Sequence, residues 1–163
     1  MERVRGDRVP TLGRRGEGWV VAQSVAIAAI VVAGIAGAAW PDPVDAFLIV
    51  IGIAFAGAGI ALFGAGIAAL GSSLAAYPRP TEGAELREGG VYRLVRHPIY
   101  GGLLLLASGW SLISSPVALI PTAILVVVLE LKARVEESML SERFPGYSAY
   151  RRRVRRRFVP GFH

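Results

Sequence analysis

The sequence predicts an all-α integral membrane protein with four transmembrane helices, and three observations predict it. Hydrophobic residues make up 53% of the 163 residues, and the mean hydropathy is +0.51. Both are too high for an ordinary soluble domain. The apolar residues are gathered into long uncharged runs. The Lys and Arg residues are gathered into the segments between and beyond those runs. One unit covering 1–163 is expected, with a basic arm at 1–16 and a motif-bearing region at 70–160.

The first run, Trp19 to Ala39, carries no charge and has about the length a bilayer-spanning helix needs, roughly 20 residues. A signal peptide is the rival reading. Its apolar core would be only about 7–15 residues long. The second run, Val44 to Leu74, is rich in Gly and Ala. Gly52, Gly59 and Gly66 form one seven-residue repeat, and Gly57, Gly64 and Gly71 form another. Each set makes a stripe on a helix, the two lying about 140° apart. Small residues let helix backbones approach closely in lipid, so this helix is expected to pack between two neighbours. A phosphate-cradling loop is excluded, since no strand precedes the glycines and no Lys follows them.

The third and fourth runs, Ile99 to Ser114 and Pro116 to Leu131, are short for straight spans. Ser114-Ser115-Pro116 predicts a tight helical hairpin with Pro116 at a helix start. The fourth helix should continue beyond the membrane surface, because Glu130 to Arg143 keeps strong helix formers. Phe144-Pro145-Gly146 should end it, and a C-terminal helical segment should follow.

Charge placement predicts orientation. Arg3, Arg5, Arg8, Arg14 and Arg15 precede the first run, and Arg79, Arg87, Arg93 and Arg96 separate the second from the third. Lys132, Arg134 and seven more arginines lie in or after the end of the fourth. The loops around Asp42 and Ser115 hold no Lys or Arg. By the positive-inside rule both termini and the 75–98 loop are cytoplasmic, in a multi-pass protein of the cell membrane. The net charge of +6 therefore points to membrane topology and not to nucleic acid. There is no Cys, and the two histidines are far apart. Thiol chemistry is excluded and no metal site is expected.

The polar residues concentrate in Tyr92, Arg96, His97 and Tyr100, just before and within the start of the third helix. Polar groups near lipid are costly without partners and mark a site. An interfacial belt is the plainer alternative. Gly101 and Gly102 would let a ligand touch backbone there. Free N–H groups at the helix start would receive its polar end. On the fourth helix, Lys132 with Glu136 and Glu130 with Arg134 have i,i+4 spacing, which fits surface ion pairs. Glu136 and Glu137 beside the His97 cluster would also hold a cationic ligand. The basic run Arg151 to Arg157 fits attraction to anionic lipid headgroups.

The stretch Gly90-Val91-Tyr92-x-x-x-Arg96-His97-Pro98-Ile99-Tyr100-x-Gly102 is followed by Glu136-Glu137-x-x-Leu140-x-x-x-Phe144-x-Gly146-Tyr147-x-x-Tyr150 and Val159-Pro160. Together they resemble the isoprenylcysteine carboxyl methyltransferases and the related membrane phospholipid methyltransferases, over roughly residues 70 to 160. The resemblance implies a multi-span enzyme using S-adenosylmethionine. It implies a cofactor pocket of Leu86, Tyr92, Arg96, His97, Pro98, Ile99, Tyr100 and Gly102, with Glu136, helped by Glu137, on the methionyl ammonium. Lys132, with Arg134 as second candidate, would face the anionic group of a lipid or isoprenoid-like acceptor. The family places an arginine where this chain has Lys132, which lacks the planar fork for a carboxylate. The acceptor atom, oxygen, nitrogen or sulfur, stays open. A membrane reductase of the sterol-reductase type using NADPH, and a non-enzymatic small membrane subunit, are the alternatives.

Overall fold

The structure, a computed structural model, describes residues 9–13, 16–71 and 85–160. Arg3, Arg5, Arg8, Arg14 and Arg15 of the basic arm lie outside the described residues. So do Arg79 and the rest of 75–84 in the predicted 75–98 loop, the end of the second run at Leu74, and His163.

The described residues form helices and connecting segments, with no strand among them. Helix α1 spans Glu17–Ala36, α2 Val44–Leu70, α3 Pro98–Ser114, α4 Leu119–Arg143 and α5 Tyr147–Arg153. Short 3₁₀ turns at Gly90–Arg93 and Pro116–Ala118 lead into α3 and α4. Among the described residues, three helical stretches are long and apolar enough to cross a membrane: Glu17–Ala36, Val44–Leu70 and Pro116–Arg143. Helix α3, with 17 residues, is apolar but shorter. In lipid every backbone N–H and C=O must be paired within the chain, and a helix does this along its length. The outward faces are apolar, with Ile35 73% and Ile120 67% exposed.

The core lies where α1, α3 and α4 meet. Ala26 and Ile30 of α1 pack with Ala107 of α3 and with Leu125 and Leu129 of α4. Polar groups tie the same helices together. The buried hydroxyls of Ser111 and Thr122 hydrogen-bond each other at 2.9 Å across α3 and α4. Such an interhelical bond contributes about 0.6 kcal/mol in lipid. Trp110 Nε1 donates to Ile30 O of α1, and Trp40 Nε1 donates to Ser111 O. Between α3 and the next turn, Ser115 donates its hydroxyl to Ala38 O and accepts from Val117 N.

Helix α2 packs along α3. A Cβ on Gly59 would stand 2.9 Å from Gly102 O, and one on Gly52 would stand 2.8 Å from Gly109 O. Gly66 meets Ile99 and Pro98 in the same way. The first glycine stripe is therefore a seam between two backbones. The second stripe corrects an expectation: Gly57, Gly64 and Gly71 have open space where a Cβ would be. Among the described residues, helix α2 has α3 as its one helical neighbour of substance, because α1 packs against α4 and α3 instead. Small residues permit a close approach without requiring one.

Helix α4 ends at Arg143, ahead of Phe144-Pro145-Gly146. After α5 the chain runs extended from Val154 and returns to the start of α3.

Candidate functional site

The site is built where this returning strap meets the start of α3. Pro98, locked near helical φ and lacking an N–H, occupies the first turn of α3. The two residues before it give their N–H groups to the strap: Arg96 N to Arg156 O at 3.1 Å and His97 N to Arg157 O at 2.8 Å. Arg96 Nη1 adds bonds to Val154 O and Arg155 O, both 2.7 Å. Gly101 allows this crossing, since a Cβ there would collide with Phe158 O.

Glu137 is the hub. Its side chain is 3% exposed. Its Oε1 accepts from Arg96 Nε at 2.9 Å, His97 Nε2 at 3.1 Å and Arg157 Nε at 3.2 Å. Oε2 receives a longer bond from Arg157 Nη2 at 3.4 Å. Arg157 also pairs with Glu130 through Nη1. Burial works against the Arg157 charge, but hydrogen bonds and attraction from Glu130 and Glu137 raise its pKa overall. A carboxylate this deep is tolerable only because cations and donors surround it.

Glu136, one residue earlier, differs. Its Oε2 accepts from Tyr100 Oη at 2.7 Å and lies 3.8 Å from His97 Nδ1. Its Oε1 has no partner among the described residues, and its side chain is 26% exposed. The rings of His97 and Tyr100 stack 5.3 Å apart and 5° from parallel, with Phe158 tilted against both. An open carboxylate oxygen beside aromatic faces is a place for a cation.

The structure thus brings Arg96, His97, Tyr100, Glu136 and Glu137 together. Other expected site residues stand at the margins. Ile99 and Gly102 face the seam with α2. Pro98 is fully buried at the helix start. Tyr92 is buried, and its carbonyl accepts from Tyr150 Oη at 2.8 Å. Leu86 packs on Tyr147, Tyr150 and Val154. Burial pushes the Tyr92 and Tyr150 phenols far above their usual range.

Lys132 makes no hydrogen bond or close ion pair with Glu136, although its spacing suggested one, and feels that carboxylate only from further off. It is 3% exposed, donates to Gln23 Oε1 of α1 at 2.8 Å, and sits 4.9 Å from the Tyr100 ring centre. Arg134 does form the expected bond with Glu130, at 3.0 Å, and is 57% exposed. It lines a cleft of about 490 Å³ at the C-terminal end of α4 with Glu137, Ser138, Ser141, Glu142, Arg151 and Arg157. Of the basic run, Arg153 pairs with Glu88 at 2.6 Å.

Sequence reasoning placed Arg157 only in the basic run at the headgroups, and it missed Phe158 and Gln23. Nothing local marks them: Gln23 is 109 residues from Lys132. It also missed Tyr147, whose buried hydroxyl has no hydrogen-bond partner. Only the Gly146-Tyr147 step of the motif pointed there.

The model of the phospholipid methyltransferase family matches residues 47–146, from α2 through the glutamate pair to the turn before α5. No curated protein matches the chain. The match covers more than half of the chain and agrees with the all-helical architecture: this protein belongs to the phospholipid methyltransferase family of membrane methyltransferases.

Proposed function

We propose that the chain transfers the methyl group of S-adenosylmethionine to a lipophilic acceptor at the cytoplasmic face of the membrane. The observation that carries this is the unequal glutamate pair. Glu137 is saturated by Arg96, His97 and Arg157, whereas Glu136 keeps an open oxygen beside the His97–Tyr100 stack. The residues fit the cofactor, which carries an ammonium and a sulfonium. When bound it supplies a methyl group that leaves a cationic sulfur, so the protein needs no nucleophile of its own.

In this reading Glu136 holds the ammonium, and Glu137 fixes the frame by anchoring Arg96, His97 and the strap. Tyr92, His97, Pro98 and Tyr100 wall the pocket. Leu86 closes it from the α5 side. Ile99 and Gly102 shape it by setting α3 against α2. Lys132, held by Gln23 over the Tyr100 ring, faces the acceptor's anionic group, with Arg134 further out toward the cytoplasm. The chain's part in catalysis is alignment of the acceptor and exclusion of water. Arg152, Arg155 and Arg156, exposed members of the Arg151–Arg157 run, draw anionic headgroups to that face.

Helix α3 completes a four-span bundle, paired with α4 as a hairpin. At 17 residues it is about 26 Å long against a hydrocarbon core of about 30 Å. Both termini are then cytoplasmic. Single cysteines placed at the exposed Asp42 and Val117 of the two outer turns should react with impermeant thiol reagents from outside, and one at Glu82 should not. The reverse pattern contradicts the orientation.

Incubating membranes that contain the protein with methyl-tritiated S-adenosylmethionine tests the reaction. Label is expected in a lipid extract, and Glu136→Gln should abolish it. Extracts with no label above protein-free membranes contradict the proposal.

A further inference from the structure

The hydroxyls of Tyr100, Tyr150 and Tyr147 fare differently. Tyr100 Oη donates to Glu136 and Tyr150 Oη donates to Tyr92 O. Tyr147 Oη has no partner among the described residues, although its residue is only 1% exposed. Buried hydroxyls are nearly always hydrogen-bonded in native proteins, and one left alone lowers stability. Leu86, Leu140 and Phe144 pack around Tyr147 and Tyr150, so a phenylalanine would have served the packing equally well.

Tyr147 starts α5, directly after the turn that leaves the glutamate-bearing helix. Its ring is tilted against Tyr150 at 5.7 Å. After burial itself, the electrostatic influences on its phenol are Glu137, Glu136 and Arg96. Its ring packs with Leu86 and with Tyr150, whose hydroxyl bonds Tyr92 O, so it stands among the residues that wall and close the pocket in the reading above. A phenol there stays protonated, and it can both donate and accept.

We propose that Tyr147 is a cofactor-binding residue whose hydroxyl hydrogen-bonds the amino-acid end of S-adenosylmethionine. This rests on the cofactor reading above and names a contact which that reading lacks. The amino-acid end carries an ammonium and a carboxylate on one carbon. With the ammonium on Glu136, a neighbouring hydroxyl reaches one of these two groups. The unspent hydroxyl is the half of that bond already in place.

Titration of the full chain in detergent tests this, using wild type and Tyr147→Phe. The probes are S-adenosylhomocysteine and 5′-methylthioadenosine, which lacks the amino-acid end. Thermal midpoints of both ligand-free proteins are measured alongside. Tyr147→Phe should melt no lower than wild type and should bind methylthioadenosine equally well. It should bind S-adenosylhomocysteine about tenfold more weakly, the usual scale for losing one such bond. Unchanged S-adenosylhomocysteine affinity overturns the proposal, as do equal losses for both ligands. A lower melting point also overturns it, since the hydroxyl then has a partner inside the protein. Should methylthioadenosine bind neither protein, the S-adenosylhomocysteine pair decides alone. Wild type that binds neither S-adenosylmethionine nor S-adenosylhomocysteine overturns the cofactor reading itself. Wild type that binds both, with Tyr147→Phe unaltered, overturns only the role of Tyr147.

Discussion

Helix α3 serves two regions built on opposite rules. Along the seam with α2, side chains are removed so that backbones can touch: Gly102 lies against Gly59 and Phe63, and Gly109 lies against Gly52 and Ala56. At the start of α3, its mouth, polar side chains are crowded together and paired: Arg96 and His97 on Glu137, Tyr100 on Glu136. The seam gains from dispersion and close approach, which are many and individually small. The mouth depends on a few charged contacts, each costly to break. A residue change should therefore act by size in the seam and by charge at the mouth.

The largest effect is expected at Glu137. Glu137→Ala leaves Arg96 and Arg157 without their shared carboxylate and should cost about 3–5 kcal/mol, the scale for breaking a buried ion pair. Denaturant or thermal unfolding in detergent measures it. A loss under about 1 kcal/mol would mean that the mouth tolerates an unpaired charge as a surface does.

A smaller effect is expected in the seam. Gly102→Ala places a Cβ 2.6 Å from Phe63 N and 2.8 Å from Gly59 O, and overpacking of this kind costs about 1–3 kcal/mol. Gly57→Ala and Gly64→Ala meet open space and should be neutral or stabilising by up to about 1 kcal/mol, from helix propensity alone. Similar losses at all three positions, by thermal unfolding, would remove the distinction between the two stripes.

The smallest effect is expected at Arg134. Its exposed bond to Glu130 should contribute about 0.3–0.5 kcal/mol and weaken with salt. A salt-insensitive loss above about 1 kcal/mol for Arg134→Ala would place it within the buried network.

These contrasts also show how far the sequence could be read. The helices were legible because apolar runs and punctuation are local, from Pro98 at one helix start to Phe144-Pro145-Gly146 after another. The cluster of Arg96, His97 and Tyr100 was legible because its residues are adjacent. The glutamates were legible as a pair, but not as hub and open site. That difference depends on Arg157, which reaches Glu137 from 20 residues away. Likewise, helical spacing paired Lys132 with Glu136, whereas Gln23 of α1 takes the amine. Periodicity revealed two glycine stripes, yet only packing shows that one faces α3 and the other faces outward.

The most direct measurement is calorimetric titration of the purified protein with S-adenosylmethionine, beside Glu136→Gln and Lys132→Ala. Wild type should bind. Glu136→Gln should lose about ten- to a hundredfold in affinity, the loss of a charge-assisted contact, and Lys132→Ala should keep cofactor affinity. No binding by wild type in more than one lipid or detergent environment, or equal and small losses in both variants, would contradict the account.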